Sequence, residues 1–238
     1  MKEQQPIITA FSEMAPRYES LMNSELNRFW GLGYEEFIET LLHDFTAEPN
    51  HQILDIATGT GFIPMFLIKH IKKYAGIVGL DLTFSMLQFA RKNFVVGSQK
   101  KPVNLVCASA HNMPFKTRSY DRVICCLATH HMDVPVLINN IDRVLKHSGK
   151  AYIADAGGSS KWKNIFIKTI IKAGAFLYFL ITENYARAIA ESASIANIHT
   201  HVEWRKMLSA YDFTEVNIQL IKSKKFWAPD PVLIKVTK

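Results

Sequence analysis

The sequence has little of several things. Three cysteines occur in 238 residues, Cys107, Cys125 and Cys126, and none has the spacing of a metal-binding or disulfide framework. That excludes a disulfide scaffold and predicts no metal centre; a reducing compartment fits. No Gly-Lys-Ser/Thr follows a glycine loop, which excludes a Walker-type phosphate cradle. No repeat, low-complexity tract or linker interrupts the chain. The first residues lack the basic start and apolar core of a secretory leader, so a cytoplasmic location is expected. No run reaches the roughly 20 uninterrupted apolar residues of a membrane span. The most apolar stretch, 165–181, is broken by Lys168 and Lys172.

What is present is a globular composition, with 48% hydrophobic and 21% charged residues, which excludes a disordered chain. The length allows one or two domains. A net charge of +7 permits an anionic partner, but the lysines of 69–73, 100–101 and 222–225 are scattered and each is explained by a solvated face. Nucleic acid is therefore not the expected partner. If the excess charge has a use, Lys161, Trp162, Lys163, Lys168 and Lys172 beside the apolar stretch suit peripheral membrane contact through 161–181. The competing reading of that stretch is a helix packed on the core or on a substrate cavity. An oligomer is compatible with the sequence.

Residues 1–48 read as a helical cap, with apolar positions at helical spacing over 24–42. Strands are predicted at 52–56, 77–81, 104–108, 120–127 and 150–155, alternating with helices at 62–74, 85–94 and 135–145. This order argues for a parallel sheet with right-handed crossovers. A helical block at 160–196 and a helix at 202–210 form a lid within 160–210. Two strands, 215–221 and 232–236, close the chain as an antiparallel pair. The expectation is a single α/β, Rossmann-like domain spanning 1–238. It has a seven-stranded, mostly parallel sheet, a C-terminal antiparallel hairpin, helices on both faces and a helical lid. Its cofactor core is 52–155 and its final strands lie within 215–236.

The first strand runs into Asp55, Ala57, Thr58, Gly59, Thr60 and Gly61. Glycines at the carboxyl end of a strand let the backbone approach a ligand. An acid inside that turn is a poor neighbour for pyrophosphate and a good one for an ammonium group. Asp81 ends the second strand, twenty residues after Gly61, where an acid accepts hydrogen bonds from ribose hydroxyls. One acid for an amine and one for a ribose, with no phosphate clamp between, describes S-adenosylmethionine.

At this point the chain resembles the class I S-adenosylmethionine-dependent methyltransferases. Residues 54–61 (LDIATGTG) are similar to their first motif, with Ala57 where glycine is commonest, and 79–87 (GLDLTFSML) to the second. Residues 108–115 (ASAHNMPF) resemble the adenine wall, 120–124 (YDRVI) the fourth-strand motif, and 143–150 (RVLKHSGK) the turn before strand five. Residues 11–19 (FSEMAPRYE) and 185–192 (YARAIAES) are similar to segments of the ubiquinone/menaquinone C-methyltransferases.

The resemblance implies a methyltransferase that makes S-adenosylhomocysteine, with Tyr18, Asp55, Ala57, Thr58, Gly59, Gly61, Asp81, Leu82, Met86, Ser109, Ala110, His111 and Leu127 around the cofactor. The family usually has an acid at position 109, and Ser109 implies weaker binding. The acceptor is expected to be a small aromatic or lipophilic molecule such as a quinone precursor. A non-methylating relative, a cyclase or a module that binds the cofactor structurally, is the alternative. An RNA or DNA methyltransferase is disfavoured because strand four ends in Leu127-Ala128-Thr129-His130 rather than Asn/Asp-Pro-Pro-aromatic.

Methyl transfer needs alignment, exclusion of water and, for a phenol or enol, a base. Histidine is the natural candidate. His130 and His131 follow strand four at the sheet's carboxyl edge, and His201 lies between the C-terminal helices. Phe11, Met14, Arg17, Tyr185 and His199 are the candidate acceptor contacts. Phe176 reads as core packing. His43, His51, His70 and His147 read as surface residues. Cys125 and Cys126 point to opposite faces of one strand and read as core.

Overall fold

The computed structural model describes residues 4–71, 74–96, 103–158, 165–223, 225 and 228–238. Lys161, Trp162 and Lys163, with Lys72, Lys73, Lys100, Lys101 and Lys224, lie outside the described residues. One sheet contains all seven strands. These are β1 (Gln52–Ile56), β2 (Gly76–Asp81), β3 (Val103–Cys107), β4 (Tyr120–Cys126), β5 (Leu145–Gly157), β6 (Glu215–Leu220) and β7 (Asp230–Thr237). Their order is β3-β2-β1-β4-β5-β7-β6. Strands β1 to β5 pair in parallel, and β7 is antiparallel to both β5 and β6. The sequence-based α/β expectation holds, including the final antiparallel pair.

The sheet separates two apolar layers. On one side Phe37, Ile38 and Leu41 pack with Ile53, Ile77, Ile124 and Cys126. On the other, Leu54, Ile56, Val123, Cys125, Ile138, Ile141 and Trp204 form the second core. Burying one such side chain contributes about 1.5–3 kcal/mol, so the alternation along β1 and β4 fixes which face each strand turns to which layer. Cys125 and Cys126 do face opposite layers.

Nine helices are described: α1 (Gln5–Met14), α2 (Tyr18–Trp30), α3 (Tyr34–Leu42), α4 (Phe62–His70), α5 (Phe84–Val96), α6 (Val134–Val144), α7 (Ile165–Thr182), α8 (Tyr185–Ser194) and α9 (His201–Leu208). The apolar pattern over 24–42 does not make one helix. Gly31 adopts φ +71°, its N–H bonding back to Leu26 and Asn27, and α2 ends there. The helical block expected at 160–196 is likewise divided, because Asn184 leaves helical geometry and caps α8 through the Arg187 N–H. Asp133 caps α6, and Thr200 with Glu203 forms a capping box on α9.

Candidate active site

The carboxyl ends of β1, β2 and β4 open onto a cleft. Its lining includes Ala57, Gly59, Asp81, Leu82, Met86, Ser109, Ala110, His111, Cys126 and Leu127, roofed by Gln4, Ile7, Phe11 and Tyr18 from the N-terminal helices. Ten residues expected around the cofactor are among them. Thr58, Gly61 and Asp55 are the exceptions, and each stands behind the loop. A Cβ on Gly61 would meet Phe94 at 2.6 Å and one on Gly79 would meet Thr58 at 2.9 Å, so these positions pack the loop against α5 and β2. Gly59 turns to the cleft instead, where a Cβ would meet only Tyr18 at 3.6 Å.

Asp81 binds the loop to β2. Its carboxylate accepts the Gly59 N–H and the Thr83 N–H, both at 2.8 Å. Burial nevertheless pushes it up to about 6. Asp55 is fully buried, and neither carboxylate oxygen has a hydrogen-bond partner. Burial, with the nearby Asp81 charge, pushes it up to about 8. A buried carboxyl is costly to ionise, the neighbouring Thr58 offsets little of that cost, and a nearby cation would favour the ionised form. The lining thus fits S-adenosylmethionine: Asp81 would meet the ribose, with Met86, Ser109 and Ala110 around the base, and Asp55 behind the loop would balance the ammonium charge. Ser109 Oγ already accepts the His111 N–H at 3.2 Å.

A second cavity of about 410 Å³ adjoins the cleft. Phe11, Tyr18, Leu127 and His131 line both. Met22, Leu26, Phe29, Trp30, Ile171 and Phe179 make its walls apolar, and its polar groups include His130, His131, Asp155, Glu25 and Glu191. Leu127, between the two spaces, is held at φ +54°, a conformation that a branched side chain rarely adopts.

His130 Nδ1 lies 2.6 Å from Asp155 Oδ1. Asp155 also accepts the Thr129 hydroxyl at 2.5 Å and the backbone N–H groups of His130 and Ala156. Burial works against both charges. The Asp155 charge and hydrogen bond outweigh it and raise His130, and the His130 charge with the donated bonds holds Asp155 below the usual carboxylate range. His131 differs. Burial first, then the neighbouring His130 and Arg187 charges, hold it well below the ordinary value. Neither of its ring nitrogens has a hydrogen-bond partner, and its ring meets Phe11 edge-on at 5.2 Å.

Several expected residues lie elsewhere. His201 is exposed at the start of α9, and His199 packs beside Trp204; neither lines the cleft or the second cavity. Tyr185 is exposed and touches Phe176. Arg17 turns away to pair with Glu183. Met14 is sealed in the core. The lid segment bends so that α8, not the 199–201 turn, faces the cavity.

The sequence reading missed Asp155, although an acid inside the apolar run Ile153-Ala154-Asp155-Ala156 at a strand's carboxyl end was a usable signal. It also missed the cluster at the cavity's polar end. There Arg187, almost fully buried, donates to Glu25 at 2.7 and 2.8 Å and lies 3.6 Å from Glu191. Burial pushes Glu25 up to about 7. No metal-ligand grouping was legible along the chain, yet the donor atoms of His130, His131 and Glu191 lie within 4.8 Å of one another.

The strand order is that of the Rossmann-like methyltransferase fold. The methyltransferase domain family matches residues 54–153. The chain is a class I S-adenosylmethionine-dependent methyltransferase. It is 27% identical to the ubiquinone/menaquinone biosynthesis C-methyltransferase of Rickettsia typhi, over 91% of this chain and 88% of that one. It is 24% identical to the demethylmenaquinone methyltransferase of Lactobacillus johnsonii, over 87% and 80%. An uncharacterized methyltransferase of Schizosaccharomyces pombe is 28% identical over 66% of this chain, which spans 58% of that protein's length. Among solved structures, the geranyl diphosphate C-methyltransferase of Streptomyces coelicolor superposes with TM-score 0.66 at 15% identity, covering 92% and 83%. A methyltransferase from Aquifex aeolicus gives 0.61 at 14% identity, covering 94% and 97%.

Proposed function

We propose that this methyltransferase alkylates a small, flat, lipophilic acceptor held in the second cavity, with His130 as the base. The observation that carries this reading is the apolar 410 Å³ space sharing four residues with the cofactor cleft and ending at the His130–Asp155 pair. The cofactor supplies a methyl group on a sulfonium that leaves as neutral S-adenosylhomocysteine. Asp55 offsets the ammonium charge, and Asp81 holds the ribose and the loop together. Phe11, Tyr18 and Leu127 position the acceptor edge toward the cleft and exclude water, which is the proximity contribution. Asp155 fixes the His130 tautomer with the proton on Nδ1, so Nε2 takes the proton from an acceptor hydroxyl or ring carbon as the new bond to methyl forms. The two quinone-pathway relatives support a phenol or quinol acceptor.

The test uses S-adenosylmethionine labelled in its methyl group, incubated with the purified protein and a panel of quinols, phenols and RNA. Label in a quinol or phenol product, lost in His130→Ala, is the expected result. Label transferred only to RNA overturns the acceptor assignment.

A further inference from the structure

The helix α7 is apolar apart from Lys168, Lys172 and two threonines, with mean hydropathy 1.7 over its 18 residues, yet only 6% of it is buried. Its inner side contributes Ile171, Ala175, Tyr178 and Phe179 to the acceptor cavity. Its outer side presents Ile165, Phe166, Ile170, Leu177 and Ile181, all more than half exposed, with Ile170 at 71% and Ile181 at 81%. At 100° per residue Phe166, Ile170, Leu177 and Ile181 fall within an arc of about 60°, and Leu180 and Ile165 widen the exposed face toward Lys172. A patch of this kind marks an interaction surface.

The occupant is indicated by what surrounds this face. Lys172 is exposed at its margin, and Lys168 is half-buried a turn earlier, its ammonium 3.5 Å from the Ala196 carbonyl. Both charges fall within the helix, where a spanning segment carries them at high cost. A helix lying flat tolerates them, since lysines at the edge of an apolar face reach anionic headgroups. The chain's +7 net charge has the matching sign. The cavity behind α7 continues to the same surface at Gly174, where an added Cβ would meet nothing within 4 Å.

We propose that the outer face of α7 rests in plane on an anionic bilayer. This rests on the lipophilic-acceptor reading for its purpose: a membrane-dissolved acceptor then reaches the cavity beside Gly174 without crossing water. Its test does not need the acceptor. The purified full-length chain is floated with vesicles of phosphatidylcholine alone and of phosphatidylcholine mixed with phosphatidylglycerol. Flotation is expected with the mixed vesicles, reduced about tenfold without phosphatidylglycerol and falling with added salt. The double variant Ile170→Gln, Ile181→Gln is expected to lose flotation at least about tenfold while its melting temperature still rises with S-adenosylmethionine. Equal flotation of wild type and variant, or no flotation of either, overturns the proposal. So does a wild-type dimer that the same substitutions split and that does not float, which assigns the face to a second copy. Loss of the acceptor assignment alone leaves the vesicle result unchanged.

Discussion

The Nδ1 atom of His130 and the carboxylate of Asp155 stand 2.6 Å apart at the junction of β4 and β5. Asp155 is fully buried, and His130 is half-buried at the second cavity. The charged groups facing the ring are Asp155 from β5 and Glu191 from α8, with His131 beside it. Asp155→Asn removes the charge and leaves a single accepting oxygen where two now serve His130, Thr129 and two backbone N–H groups. We expect kcat to fall about 10²- to 10³-fold, the range of a mispositioned base, with the cofactor Kd changed less than about twofold. The base must be neutral to act, so activity rises with pH through the His130 pKa, which in the wild type lies above the ordinary value. Loss of the Asp155 charge lowers that pKa, and the rising limb of the pH–rate profile is expected to move to lower pH. An unmoved limb would separate His130 from the proton transfer.

The Asp55 carboxyl makes a distinct prediction about the cofactor. Its folded pKa, about 8, lies above the usual carboxylate value, so the folded state binds more protons than the unfolded state between roughly pH 4 and 8. This group therefore lowers stability as pH rises through that window. Asp55→Asn is expected to stabilise the ligand-free protein at pH 8 by about 1–3 kcal/mol, because no buried charge is left uncompensated. An ammonium ligand selects the ionised form. Cofactor affinity should weaken about tenfold per pH unit below 8, and binding should release a proton. Calorimetry at pH 7 in buffers of different ionisation enthalpy reads that release directly. Asp55→Asn should lose both the release and most of the affinity.

Ala57 carries φ +56°, in the left-handed region where a Cβ is strained by about 1–2 kcal/mol. Ala57→Gly removes the strain but adds about 0.4–1 kcal/mol of unfolded-chain entropy. The expected net gain is about 0.5–1 kcal/mol, or roughly 1–4 °C in Tm by calorimetry. A fall in Tm would show that the Ala57 methyl packs favourably enough to outweigh its backbone.

The cofactor half of the site was legible because its residues lie in contiguous segments. Residues 54–61, 79–87 and 108–115 each bring a strand end and its loop, so local patterning placed Gly59 and Asp81 together and the family resemblance added Ser109. The second cavity was not legible. It joins α2, α7 and α8 to β4 and β5, and the pairs that define it, Glu25 with Arg187 and His131 with Glu191, are 162 and 60 positions apart. Nothing in periodicity reports such distances. His199 and His201 lie at the junction of the C-terminal helices as expected, but outside both cavities, for the same reason. The 160–196 segment shows a continuous helical pattern, and the bend at Asn184 that turns α8 to the cavity depends on one side-chain cap. Arg17 and Met14 matched a family segment whose backbone position is shared with Phe11 and Tyr18, but only the latter two turn toward the ligand spaces.

Ser109 offers the sharpest check on where the adenine lies. Its hydroxyl is one acceptor in a cleft whose carboxylate, Asp81, already accepts the Gly59 and Thr83 N–H groups and faces the ribose end rather than the base. A neutral hydroxyl bonds an exocyclic amine about half as strongly as a carboxylate does. Ser109→Asp keeps an oxygen within reach of the His111 N–H and adds a charged acceptor for the base. It also places a second acid near Asp81, which already titrates at about 6, so some ligand-free stability is lost at neutral pH. Binding relieves part of that repulsion through the cofactor's own positive charge. The expected result is a cofactor Kd lowered about five- to tenfold, equivalent to about 1–1.4 kcal/mol, with a larger thermal shift on saturation. Calorimetric titration with S-adenosylhomocysteine, which lacks the sulfonium charge, isolates the hydrogen bond from the charge effect. Tightening of both ligands places the adenine amine beside residue 109. Tightening of the sulfonium ligand alone attributes the gain to charge, and an unchanged Kd for both puts the adenine elsewhere along the 108–111 wall.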